Sequence, residues 1–150
     1  MHIDDGDEGD PPVTALTRKI MRQVRSKDTK PELIVRRALH KAGYRYRLHN
    51  GKLPGRPDIV FPGRKAVVLI HGCFWHRHEG CRLASTPKTR AEFWNDKFDR
   101  NIARDRRDAL ALADMGWTSI VIWECETRGS GTYWARLVNF LNQSVTPGET

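Results

Sequence analysis

The segment Ile70-His71-Gly72-Cys73-Phe74-Trp75-His76-Arg77-His78-Glu79-Gly80-Cys81 gathers three of the chain's six histidines, two of its three cysteines and two bulky aromatics. Sulfur and imidazole donors suggest a metal, spare imidazoles suggest proton transfer, and an exposed Phe74-Trp75 pair suggests insertion between stacked bases. Four residues separate Cys73 from His78 and two separate His78 from Cys81, while Cys125 is the only other thiol. Three thiolates and one imidazole are a common closed tetrahedral set for zinc. Four protein ligands leave no open position for substrate, so this zinc would be structural, tying the loop to residue 125. The alternative is a buried structural Cys125 with two incidental loop cysteines.

A second constellation needs the carboxylates. Pro54-Gly55-Arg56-Pro57-Asp58 followed by Ile59-Val60-Phe61 is a turn that delivers a carboxylate at the start of a strand. A carboxylate and a backbone carbonyl can hold Mg²⁺, which retains waters that can serve as nucleophile. His71 and His76, as neutral imidazoles, can take the proton from such a water near neutral pH. Glu32 could orient that water, or could be an ordinary first-turn acid favoured by the helix dipole. His40 and His49 have no such context and read as surface residues. Trp94 is either a third inserting ring or core packing against Phe93 or Phe98. Trp117, Trp123 and Trp134 match core positions.

The elements that must hold these groups follow from periodicity. Thr29 or Lys30 precedes Pro31, and Leu33, Ile34, Ala38 and Leu39 recur at helical spacing until Gly43. Tyr44 to Leu48 alternates as a half-buried strand, and His49–Pro57 reads as a loop. Asp58–Phe61 and Ala66–Ile70 flank Pro62-Gly63-Arg64 as a strand pair. Thr89-Arg90-Ala91-Glu92 is a capping-box pattern opening a helix that reaches Met115, with Asp99 as a place it could break, and Gly116 ends it. Trp117–Trp123 predicts a central strand, and Trp134, Leu137, Val138 and Leu141 predict a docking helix. The fold class is α/β, a mixed sheet flanked by helices.

At 150 residues the chain fits one domain, read as residues 14–143, with a disordered acidic leader at 1–13 and a flexible tail at 144–150. The leader holds Asp4, Asp5, Asp7, Glu8 and Asp10 and no Lys or Arg; without those five negative charges the net +8 becomes +13. Such a field attracts phosphate backbones. No apolar run of about 18 residues and no signal peptide argue against a membrane and for a cytoplasmic protein. There, free thiols or metal ligands are expected rather than disulfides. The run Arg100, Arg104, Arg106 and Arg107 alternates with Asp99, Asp105 and Asp108 and reads as a solvated, internally paired face.

Pro54-Gly55-Arg56-Pro57-Asp58, the His71–His76 run, Thr89–Trp94, Asn101 with Arg104–Asp108, and Trp123-Glu124-Cys125 together resemble the very-short-patch repair endonuclease family, over roughly Lys19 to Arg128. That resemblance implies a restriction-endonuclease-like core and a nuclease that nicks one strand of duplex DNA 5′ to the T of a T·G mismatch, the product of 5-methylcytosine deamination. A polymerase and a ligase would complete the repair, and a monomer associated with the nucleoid would suffice. It implies Mg²⁺ on Asp58 and the main-chain carbonyl of Ile70, His76 as general base, His71 at the scissile phosphate, Glu32 supporting water at the metal, and Asp105 orienting His76. It also implies structural Zn²⁺ on Cys73, His78, Cys81 and Cys125, a wedge of Phe74, Trp75 and Trp94, and Lys97 and Asn101 facing the T·G pair. Two departures stand out: Ile70 where a threonine is familiar, and a shorter histidine run, His76-Arg77-His78-Glu79-Gly80-Cys81, that is one residue longer overall. Two other readings compete: a zinc-stapled DNA-binding module without catalysis, and a restriction-type nuclease cutting both strands of matched DNA.

Overall fold

The computed structural model describes residues 28–129 and 131–144. The acidic leader, the start of the expected domain and residues 145–150 lie outside the described residues. Helix α1 spans Lys30–Lys41; Thr29 caps it, its hydroxyl accepting from the Glu32 N–H at 3.4 Å, and Pro31 occupies its first turn. Its core-facing stripe is Glu32, Val35 and Leu39, at i, i+3 and i+7. Gly43, at φ +90°, ends the helix, its N–H reaching the His40 carbonyl.

Strand β1 is only Arg47–Leu48, β2 is Ile59–Phe61, and β3 is Ala66–His71. Tyr44 to Leu48 alternates half-buried and exposed as expected. Its first half nevertheless leaves the ladder, and the Tyr44 and Tyr46 rings pack edge-on against Phe61 instead. A single 3₁₀ turn, Pro62–Arg64, with Lys65 in the left-handed region, closes the β2–β3 hairpin. Helix α2, Ala91–Asp114, carries the chain back so that β4, Thr118–Trp123, pairs parallel with β3 from Ala66↔Thr118 to His71↔Trp123. The one-turn helix α3, Glu124–Thr127, and helix α4, Thr132–Gln143, finish the described chain.

The sheet is mixed, in the order β1-β2-β3-β4, antiparallel except for its last pair. Its alternation sorts residues between two cores. Ile59, Phe61, Ala66, Val68, Ile70, Ile120 and Ile122 pack under Val35 and Leu39 of α1 and Tyr133, Leu137 and Leu141 of α4. Val60 and Val67 pack on the other face with Leu53 and Leu112 of α2. His71 and Trp123 share the parity of Val67 and so leave the α2 face.

Three expectations change. Among the described residues the Trp117–Trp123 run is the edge strand β4, not a central one; Thr118 and Ser119 are exposed, and its apolar half is buried by helices rather than by a second described strand. Helix α2 runs unbroken through Asp99. Thr89 does not cap it: the chain enters through Arg90 at φ +59°, whose guanidinium lies 4.4 Å over the Phe93 ring, so Thr89 falls one residue outside the helix.

Candidate active site and metal centre

The loop after β3 is wound by successive turns: His76 N–H to Gly72 O, His78 N–H to Cys73 O, Cys81 N–H to His78 O and Ala84 N–H to Cys81 O. Arg77 and Gly80 supply the left-handed positions that this winding requires. It brings Cys73, His78 and Cys81 onto Cys125, in the first turn of α3, with all four ligand atoms within 4.8 Å of one another. His78 Nδ1 lies 3.6 Å from Cys73 Sγ and 3.4 Å from Cys125 Sγ. A tetrahedral zinc with ordinary Zn–S and Zn–N bonds needs sulfur–nitrogen edges of about 3.6 Å, so the donor set fits a metal of that size. Burial pushes the Cys73 thiol up to about 12 and Cys125 upward, while the Leu83 N–H pulls Cys81 down. A coordinated cation is what would turn the two raised thiols into thiolates at neutral pH.

The proton-transfer groups assemble beside it. His71 and His76 stack at 3.8 Å between ring centroids, 8° from parallel. The carboxylate of Asp105, on α2, meets His76 Nδ1 at 2.6 Å. His76 Nε2 is buried and has no partner among the described residues. That arrangement leaves the Nε2 lone pair free when Asp105 holds the proton on Nδ1. Burial, with His76 alongside, holds His71 down at about 3, which favours the neutral imidazole near pH 7.

Asp58 is buried, and its Oδ2 accepts from the Ile70 N–H at 2.8 Å, one residue before His71. That bond ties the Asp58 carboxylate to β3 one residue before His71. Continuing the register two residues past Ile59↔Val68 sets Pro57 opposite Ile70, and proline has no N–H to offer the Ile70 carbonyl. Burial raises Asp58 to about 6 against the opposing pull of the Ile70 N–H; the Glu32 carboxylate adds to the rise and the His49 imidazole opposes it. A buried carboxyl of this kind, with the Ile70 carbonyl lacking a proline N–H opposite it, could hold a cation.

Glu32 is only 1% exposed. It is held by His49 Nε2 at 2.8 Å, by Arg36 at 3.2 Å and by the Asp28 N–H at 3.2 Å. This corrects two readings. Glu32 is more than a first-turn acid, because it sits in the apolar stripe with Val35 and Leu39; that position is the signal the sequence offered. His49 is not a surface residue, because it is half-buried, with φ +50°, and its Nε2 meets the Glu32 carboxylate. His40 is exposed, as expected.

The aromatic pair is also corrected. Trp75 is 6% exposed and Trp94 1%, because Phe93, Trp94 and Phe98 of α2 give the loop an apolar partner. Phe74 meets Trp75 at 4.9 Å, Trp94 at 5.7 Å and Phe98 at 5.2 Å, all edge-on, and remains half-buried. Lys97 and Asn101 are buried on the same side of α2, and Asn101 donates to the Trp75 carbonyl at 3.1 Å. Arg77, unremarked in the sequence, binds the Phe74, Ala84 and Ser85 carbonyls and the Thr86 hydroxyl while lying 4.0 Å over the Phe98 ring. Trp123, read as core, instead faces His71 and His78.

The model of the family described as DNA mismatch endonuclease Vsr matches residues 13–82, which include Asp58, His71 and His76. A Type II nicking enzyme of Xanthomonas oryzae pv. oryzae, V.XorIIP, is 53% identical over 127 residues, 85% of this chain and 93% of that protein. The chain belongs to the Vsr family. Another relative is the DNA mismatch endonuclease Vsr of Escherichia coli, 42% identical over 115 residues, 77% of this chain and 73% of that protein. A third is the Type II nicking enzyme V.NmeAIP of Neisseria meningitidis serogroup A, 41% identical over 118 residues, 79% of this chain and 84% of that protein. As a Vsr-family member the chain is a DNA endonuclease. No helix among the described residues of this Vsr-family chain is long and apolar enough to cross a membrane.

Proposed function

We propose that this endonuclease nicks one strand of duplex DNA on the 5′ side of the T in a T·G mismatch, with Mg²⁺, and so opens very short patch repair for a downstream polymerase and ligase. The observation that carries the reading is the Asp58 carboxylate on the Ile70 amide, next to a stacked His71–His76 pair whose outer nitrogen is buried and free. A DNA-binding module has no use for that arrangement. Asp58 and the Ile70 carbonyl would hold Mg²⁺, which supplies charge neutralisation at the phosphate and a more acidic water. His76 takes the proton at Nε2 while Asp105 stabilises the resulting imidazolium. His71, neutral, donates to the scissile phosphate. Glu32 reaches the Asp58 side of the site, its charge felt by that carboxyl, and orients water there.

The Cys73, His78, Cys81 and Cys125 set would hold a structural Zn²⁺ that gives the wedge loop a fixed base. Phe74, Trp75 and Trp94 supply the wedge: unstacking a base step costs a few kcal/mol, and a mismatched step costs least. Because these rings pack on one another here, insertion has to open their cluster, with half-buried Phe74 leading. Lys97 and Asn101, buried beside them, face the T·G pair. The mixed sheet with helices on both faces is read as a restriction-endonuclease-like core, and the net charge of +8 suits a DNA partner bound by one copy of the chain. A mismatch endonuclease and nicking enzymes among the relatives support the lesion and the single-strand cut.

The deciding experiment compares nicked and linear product on matched and T·G duplexes with Mg²⁺. Wild type should nick only the mismatched duplex, and Asp58→Ala should abolish nicking while still binding DNA. Linear product from matched DNA, or a fully active Asp58→Ala protein, would refute the reading.

A further inference from the structure

Trp123 ends β4 opposite His71 in the parallel register, so the two side chains leave the same face of the sheet side by side. Its indole stacks on the His78 imidazole at 4.2 Å and 9°, and meets His71 edge-on at 5.3 Å and 79°. His71 in turn stacks on His76 at 3.8 Å, and Asp105 closes the series at 2.6 Å. Four rings thus form one continuous column from a ligand of the sulfur cluster to the general base. The backbone that carries the indole is pinned: the Trp123 main-chain N–H donates to Glu126 Oε1 at 2.9 Å, and Arg136 donates to both oxygens of that carboxylate at 2.7 and 2.9 Å.

We propose that Trp123 is a positioning residue that couples the metal-loaded sulfur cluster to the orientation of the His71–His76 pair. The proposal rests on the nicking reading and on a cation at His78. A histidine ring's second torsion is broad, so its plane is set by what the ring touches rather than by its own bonds. Coordination through Nδ1 fixes the His78 plane, the parallel stack fixes the indole, and the indole edge fixes His71 beneath His76. Loss of the cation frees the first ring and loosens every ring after it. The contact that joins the two stacked pairs, Trp123 against His71, is edge-on, one of the geometries that aromatic rings prefer. A mere core filler would not need to touch both a cluster ligand and a proton-transfer group.

The test uses the full chain loaded with zinc, as wild type, Trp123→Leu, Trp123→Phe and His78→Cys. The last keeps four zinc ligands and the indole but removes the ring beneath it. Bound zinc, ring ¹⁵N and ¹H resonances of His71 and His76, affinity for T·G duplex and single-turnover nicking are measured. All four proteins should hold one zinc and bind DNA alike. Trp123→Leu and His78→Cys should show averaged His71 and His76 ring signals and nick about ten-fold or more slowly, the scale of a misaligned proton-transfer group. Trp123→Phe, which keeps a flat ring, should stay within about three-fold. Unchanged ring signals or full rate in zinc-loaded His78→Cys or Trp123→Leu overturns the proposal, as does zinc loss confined to the Trp123 variants. If Trp123→Leu does not fold, the ring signals and rates of His78→Cys and Trp123→Phe decide between the same outcomes. If wild type does not nick, the functional reading falls, and the ring signals alone decide the coupling.

Discussion

Replacing Asp105 by Asn isolates one hydrogen bond. The Asp105 carboxylate meets His76 Nδ1 at 2.6 Å, short enough for a charge-assisted bond, and lies on helix α2, outside the Cys73, His78, Cys81 and Cys125 set. On the proposed reading it has two effects: it keeps the proton on Nδ1 so that the buried Nε2 is a lone pair, and it stabilises the imidazolium that follows. The Asn amide is uncharged and can present N–H to Nδ1, which would put the proton on Nε2 and remove the base. Loss of the equivalent carboxylate in a buried Ser-His-Asp triad costs about 10⁴ in kcat. Asp105 is 27% exposed, so water partly replaces the lost charge, and the expected loss is about 10²–10³-fold, or roughly 3–4 kcal/mol of barrier. The assay is single-turnover nicking of a T·G duplex with saturating Mg²⁺, alongside duplex affinity and bound zinc, both of which should stay at wild-type values. A rate within three-fold of wild type would show that His76 is not oriented by Asp105 and would remove it as the base.

Three further outcomes follow from the geometry. Asp58 is raised to about 6, so in the metal-free protein the stability linked to its protonated form is full below about pH 3.8 and is lost as pH rises through 6. On the proposed reading Mg²⁺ has to displace that proton: calorimetry should show affinity level above pH 7 and falling about ten-fold per unit below 6, and a constant affinity from pH 5 to 7 would contradict it. Cys125→Ser, or chelation, should strip the sulfur cluster and cost several kcal/mol in denaturant unfolding; zinc rebinding at pH 7 should release at least the protons of Cys73 and Cys125, measurable in buffers of different ionisation heat. Gly55→Ala should lower Tm by roughly 2–8 °C, because Gly55 has φ +77° and a Cβ there would lie 3.1 Å from Asp108 Cβ; an unchanged Tm would mean that the turn before Asp58 tolerates the strain.

The sequence carried the element order, because apolar periods of 2 and 3.6 and the Gly43 and Gly116 stops are local signals. It misjudged what depends on neighbours. The apolar run Ile120-Val121-Ile122 says that a strand is covered, not whether helices or strands cover it, and so an edge strand looked central. Tyr44 alternates correctly but has no partner strand to pair with, since β2 is three residues long. The Cys/His spacing showed the sulfur cluster because its ligands are rare residue types. The pairing of Glu32 with His49 escaped because a carboxylate and an imidazole 17 residues apart carry no mutual signal, although the place of Glu32 in an apolar stripe was legible. Trp123 escaped because an aromatic at a strand end looks the same in sequence whether it fills a core or faces histidines.

Helix α2 presents Trp94, Lys97, Asn101, Asp105 and Asp108 at spacings of three and four over fifteen residues of one uninterrupted helix. On the reading proposed here, one rod bears the ring that senses the lesion and the acid that arms the base, about 16 Å apart along its axis. Such a rod works as a ruler: the strand break falls at a fixed offset from the faulty pair, whatever bases lie between. Inserting a single residue after Asn101 would turn Asp105 away by about 100° and uncouple finding the error from cutting beside it.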